Sequence, residues 1–190
     1  MPSPSKRDQI VDAALRLFYR HGFNATGVDK IIAEAGVSKK TLYSHFRTKD
    51  ELILATLRKR DELFRNKMMR ETERRASQPR DRLLAVFDFL TDWFHEESFS
   101  GCMFINAAAE FADAEHPSHM ICAEHKRLVA DYVCQQAELS GAKDAVALSH
   151  EINMLMEGAI VYAHVIGDKQ AAARAKEMAG LFIERQFDEH

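Results

Sequence analysis

Between residues 6 and 21 the apolar side chains Ile10, Ala13, Ala14, Leu17 and Phe18 recur at i, i+3, i+4, i+7 and i+8. That spacing gathers them into one stripe of an amphipathic helix. His21-Gly22 closes the helix, and Thr26-Gly27 precedes a short one over 28–35 with Ile31, Ile32 and Ala35 available for burial. Gly36 supplies a position able to take a positive φ, which ends that helix and turns the chain. Ser38 is placed to cap a third helix, of seven or eight residues, by accepting from backbone N–H groups two or three residues on. Val37, Leu42 and Phe46 fall on one side of it, whereas Lys39, Lys40, Thr41, Tyr43, Ser44 and His45 face out. A short helix with an apolar back and a basic, hydroxyl-rich front suits the major groove of DNA. Helix, short helix, glycine turn and short helix make a helix-turn-helix with a supporting helix in front.

Helical patterning continues to the end of the chain. Residues 49–76 contain no Gly or Pro, and a helix of about 28 residues spans roughly 42 Å. Pro79 breaks the chain, and 80–97 resume with Leu83, Leu84, Val86, Phe87, Leu90, Trp93 and Phe94. A loop over 98–101 leads to an apolar helix over 102–113. Pro117 opens a helix running to about residue 140, and 143–166 and 169–187 form a last pair. No segment sustains the alternation of a strand. The expectation is an all-α chain of about nine helices, divided into a DNA-binding domain over 1–50 and a helical body over 51–190.

Five blocks in register across residues 6–52 resemble the DNA-binding domain of the tetracycline-repressor (TetR) family of transcriptional regulators. They are Ile10–Ala13-Ala14–Leu17-Phe18, Gly22-Phe23–Ala25-Thr26–Val28, Ala35-Gly36-Val37-Ser38, Thr41-Leu42-Tyr43–His45-Phe46 and Lys49-Asp50-Glu51-Leu52. Gly27 departs from the family's usual Thr or Ser cap, a loss of only a few tenths of a kcal/mol. Lys40 and Ser44 stand where family members vary. The resemblance implies a ligand-responsive regulator, most often a repressor, that binds palindromic operator DNA as a homodimer. It also implies that the body binds the ligand and carries the dimer contact.

Charge agrees with a DNA-facing head. Residues 1–50 hold nine Lys or Arg against five acids, a net of +4, which leaves −7 on the remaining 140 within the total of −3. A basic head on an acidic body directs the head at phosphate. No apolar run approaches the roughly 18–20 residues that cross a bilayer, and Met-Pro-Ser-Pro-Ser-Lys-Arg lacks the apolar segment of a signal peptide. The three cysteines, 102, 122 and 134, are expected as reduced thiols. A cytoplasmic protein without a membrane partner is expected.

Phosphate contacts, which set position, fall to Tyr43, His45 and Lys49 with Lys6 and Arg7. Base readout falls to Lys39, Lys40, Thr41 and Ser44. Tyr43 has the alternative of a half-buried core aromatic, and His45 that of capping a turn. In the last helix pair, Ile152, Leu155, Met156, Ala159, Ile160 and Ala163, with Ala175, Ala179 and Phe182, are the expected dimer face. Helices that are apolar most of the way round need cover on two sides. Completing the monomer's own core is the alternative.

A small, largely apolar ligand is expected among Trp93, Phe94, Met103, Phe104 and Phe111, with Asn106, Glu110, His125, Asn153, Glu157 and His164 as polar anchors. These residues could equally fill the core. His116, His119, Cys122 and His125, with Glu115, would be a metal or oxidant sensor only if they converged. Successive i+3 steps drift round a helix, so convergence needs partners elsewhere. There is no phosphate loop, nucleophile elbow or HExxH pair. No enzyme, cofactor or metal is therefore expected, and a helical interaction module that never meets DNA is the remaining rival.

Overall fold

The computed structural model describes residues 5–187, which form nine helices and no strand. They are α1 (Lys6–His21), α2 (Val28–Ala35), α3 (Lys39–His45), α4 (Lys49–Arg75), α5 (Pro79–His95), α6 (Met103–Glu110), α7 (Pro117–Leu139), α8 (Ala145–Val165) and α9 (Ala171–Phe187).

Several boundaries differ from the periodicity by a few residues, three of them with a local cause. Pro79 opens α5 rather than standing before it, because the first turn leaves N–H groups unbonded anyway and proline's fixed φ suits that position. Asp144 caps α8, its Oδ1 accepting from Ala147 N at 2.9 Å, so the helix starts two residues later than expected. α6 stops at Glu110, three residues short of the expected end, and the chain then turns, with Asp113 Oδ1 accepting from Glu115 N at 3.0 Å.

Packing divides the chain into two compact units. Among the described residues the first takes 5–63 together with 103–125, and the second takes 64–102 and 126–187. The first unit thus adds α6 and the start of α7 to the helix-turn-helix.

In the first unit the α1 stripe is buried as the spacing predicts, with Ile10, Ala13 and Ala14 wholly covered. Phe23, Ile31, Leu42, Phe46, Leu52 and Leu57 complete this core. Each large apolar side chain buried there contributes about 1.5–3 kcal/mol. Thr26 is buried with its Oγ1 donating to Gly22 O at 2.7 Å.

The second unit is built on α5, α8 and α9. α5 packs on α8 and α9, with Leu83, Val86, Phe87, Leu90 and Phe94 of α5, Leu148, Ile152 and Met156 of α8, and Ala171, Ala172, Ala175 and Ala179 of α9 buried. Lys176 of α9 holds both carboxylate oxygens of Asp88 of α5, at 2.7 and 2.8 Å.

Seven of the nine residues expected at a dimer face lie inside this single-chain core. Ile152, Met156, Ala159, Ile160, Ala163, Ala175 and Ala179 are all buried, while Leu155 and Phe182 are half-buried. The small residues let α8 and α9 approach one another and α5. A different stripe faces outward, with Met154 74%, Tyr162 56%, Val165 74%, Met178 51% and Leu181 67% exposed. Two apolar faces were legible in α8; which one the chain covers itself depends on where α5 and α9 lie. Among the described residues no helix is long and apolar enough to cross a membrane.

Candidate DNA-binding interface

Local chemistry builds α3 and aims its polar side. Gly36 takes φ 61° and ψ 39° at the end of α2, and the N–H groups of Gly36 and Val37 return to Ala33 O and Ile32 O, both at 3.3 Å. This closes α2 in the left-handed manner that glycine permits. Ser38 Oγ then accepts from Thr41 N at 3.0 Å and caps α3. Leu42 and Phe46 are buried behind α3, at 1% and 3% exposure. Gly27, at the start of α2, makes no side-chain cap.

The backing leaves the opposite side open. Lys39, Lys40, Tyr43, Ser44 and His45 are exposed and Thr41 is half-buried. The hydroxyls of Ser38 and Thr41 share a hydrogen bond at 2.8 Å, and Ser44 Oγ donates to Thr41 O at 2.7 Å. Lys39 Nζ stands 3.6 Å from Asp29 Oδ1 with both groups largely in solvent, a weak pairing that a phosphate can replace. Lys49 is half-buried, its Nζ 3.4 Å from Asn24 O. Arg7 lies with its guanidinium carbon 5.2 Å from the centre of the Phe46 ring, beside the end of α3, and Lys6 donates to Gln9 Oε1 at 3.1 Å. The unit therefore presents ammonium and guanidinium donors around a hydroxyl-lined helix front, the chemistry of phosphate anchoring with base-edge readout.

The family model described as bacterial regulatory proteins, tetR family, matches residues 10–56. A second, for the tetracyclin repressor-like C-terminal domain, matches residues 79–179, more than half of the chain. The chain belongs to the TetR family. It is a DNA-binding transcriptional regulator and not an enzyme.

A crystal structure of a TetR-family transcriptional regulator from Streptomyces coelicolor has a TM-score of 0.89 to this chain at 29% identity, covering 96% of each. The HTH-type transcriptional activator FasR of Mycolicibacterium smegmatis is 36% identical over 99 residues, 52% of this chain and 44% of that protein. The match thus spans less than half of that relative's length. The HTH-type transcriptional repressor ComR of Escherichia coli is 24% identical over 165 residues, 83% of this chain and 79% of the relative.

The expected ligand residues of this TetR-family chain divide between its units. Trp93 and Phe94 are buried in the second unit, where Trp93 meets Phe64 and Phe99 edge-on at 4.8 and 5.1 Å. Asn153 Nδ2 donates to Ser149 O at 2.7 Å, one turn back along α8. Glu157 holds Lys126 Nζ at 2.6 and 2.7 Å, and Cys102 Sγ lies 3.5 Å from the same ammonium. Burial works against the Lys126 charge, but the neighbouring Cys102 and Glu157 outweigh it and hold its pKa above the ordinary lysine value. His164 is exposed over Gly101 and edge-on to Phe99.

In the first unit Met103 and Phe104 are buried, and His125 stacks on Phe104 with ring centres 3.6 Å apart and its Nδ1 2.7 Å from Asp61 Oδ1. Asn106 is half-buried on α6. Phe111 meets Phe23 edge-on at 5.7 Å. Glu110, expected as a ligand anchor, is committed elsewhere: its carboxylate accepts from Phe23 N at 2.8 Å and Asn24 N at 2.6 Å in the corner between α1 and α2. Sequence reading missed this role because the partners stand 87 and 86 residues away.

The histidines of α7 and its approach do not converge. His116 stacks on Phe111, His119 Nδ1 lies 2.8 Å from Phe111 O, and His125 turns to Asp61, while Cys122 is buried. Among the described residues no three His, Cys, Asp or Glu side chains meet in an arrangement for a metal ion.

Proposed function

We propose that this regulator binds a palindromic operator as a homodimer in the cytoplasm and represses transcription until a small, largely apolar molecule binds its helical body, residues 51–190. The head over 1–50 makes the DNA contacts. The observation that carries this reading is the α3 front, where Lys39, Lys40, Tyr43, Ser44 and His45 are exposed over a back sealed by Leu42 and Phe46. The roles are those of the sequence: Tyr43, His45, Lys49, Lys6 and Arg7 on phosphates, and Lys39, Lys40, Thr41 and Ser44 on base edges.

Dimerisation is supported by the outward stripe of α8 and α9, since a contiguous exposed apolar patch marks an interaction surface. Between these helices runs a groove of about 310 Å³ lined by Met154, Leu155, Gly158, Tyr162 and Met178, among others. Two copies joined there as a four-helix bundle would carry two heads, able to read half-sites about one DNA turn apart. A ligand that favours one spacing of the heads over another shifts the dimer off DNA by its differential affinity. Relatives named as activator and as repressor both occur; repression is the simpler outcome when ligand and DNA compete for two spacings.

Selection from a random duplex library, repeated with two variants, tests the assignment of roles. Lys49→Ala is expected to weaken binding to every sequence and to flatten the salt dependence by about one unit of slope. Lys40→Ala is expected instead to change the preferred base at one position of each half-site. Equal losses for both variants on selected and random DNA would contradict the division of labour.

A further inference from the structure

The corner between α1 and α2 is held from outside the helix-turn-helix. Both oxygens of Glu110, the last residue of α6, accept from consecutive backbone amides of that corner: Oε1 from Phe23 N and Oε2 from Asn24 N. Gly22, with φ +84°, makes room for the carboxylate, since a Cβ there would stand 2.9 Å from Oε1. Phe111, the next residue, presses on Phe23, which in turn stacks on Phe18 of α1 with ring centres 5.0 Å apart. Lys49 Nζ donates to Asn24 O at 3.4 Å. One carboxylate thus fixes the corner from which α2 departs, and α3 packs on α1 and α2.

Hydrogen bonds to an ionised acceptor are about twice as strong as neutral ones. Two of them on successive amides define direction as well as distance. We propose that Glu110 is a positioning residue for DNA binding, holding the α1–α2 corner so that α3 and Lys49 are presented in the geometry that specific DNA recognition requires. The inference rests on the operator-binding reading above and adds to it a residue that lies outside the DNA-binding segment of the sequence.

The sign of the effect separates positioning from simpler roles. Glu110→Gln removes a negative charge, which by electrostatics alone leaves affinity for a polyanion unchanged or raises it. It also turns one of the two acceptors into an NH2 group facing a backbone N–H. A merely structural residue would lower the melting temperature and leave the affinity of the folded protein untouched.

Wild-type protein and Glu110→Gln are titrated onto the duplex that the wild type selects from a random library and onto a shuffled duplex of the same composition. Both are also melted. Affinity for the selected duplex is expected to fall about ten-fold through lost preorganisation, with shuffled-duplex affinity equal or slightly higher. Glu110→Asp keeps the charge but draws the carboxylate back by one methylene; it is expected to lose specific affinity as well, and it serves if Glu110→Gln folds poorly. Unchanged affinity of the folded variants for the selected duplex, or a parallel loss on both duplexes, would overturn the proposal. A wild-type protein without sequence preference would instead remove the operator reading, and the proposal with it.

Discussion

Met154→Asp combined with Leu181→Asp is expected to give a monomer and to reduce operator affinity by about a hundred-fold or more. Both side chains are largely exposed on the free chain, at 74% and 67%, so the substitutions remove no core contact and the folded monomer should keep its helix content. In the proposed bundle they would place four carboxylates in an apolar seam, where unpaired charge is strongly disfavoured. DNA binding suffers because the second half-site of a dimer is met at an effective concentration in the millimolar range. Without the partner, each head binds its half-site alone. Sedimentation velocity at micromolar protein reads the mass, and titration of the selected duplex reads the affinity. A double variant that stays dimeric would place the interface elsewhere than the outward stripe. The contrasting change, Ile152→Ala, acts on the inward stripe and is expected to lower stability first.

Phe23→Ala and Tyr43→Ala are expected to separate stability from recognition. Phe23 is 1% exposed between Phe18 and Phe111. Truncating a buried phenylalanine costs about 3–5 kcal/mol, a large share of the 5–15 kcal/mol that holds a typical domain folded. Thermal or denaturant unfolding of Phe23→Ala should therefore begin far earlier than in the wild type. Tyr43 is 43% exposed on the α3 front; its removal should leave stability within about 0.5 kcal/mol while weakening DNA binding. If Tyr43→Ala instead destabilised the protein as Phe23→Ala does, Tyr43 would be a core aromatic and its phosphate role would fall.

What the sequence made legible was local. The α1 stripe, the Gly36 turn and the Ser38 cap each depend on residues within one or two helical turns, so spacing alone locates them, and α3 exposes all but the half-buried Thr41 of the side chains its periodicity leaves off the apolar face. Features that depend on distant partners were not legible. Glu110 has the composition of a ligand anchor, and only the fold brings Phe23 and Asn24 to it. His125 sits in a regular histidine spacing, yet it pairs with Asp61, 64 residues away. For α8 both faces are apolar, and the pattern has no means of telling the face α5 and α9 cover from the one left outward. The ligand residues show the same limit, since a buried Phe104 and a pocket-lining one have the same sequence signature.

Recovery of bound fragments from sheared genomic DNA of the source organism, followed by sequencing, tests whether the dimer reads a specific operator. The expected result is enrichment of one short palindrome whose half-sites lie about one DNA turn apart, recovered by wild-type protein and lost with Met154→Asp/Leu181→Asp. Uniform, salt-sensitive recovery with no shared site would leave only backbone binding and contradict a sequence-specific dimeric regulator.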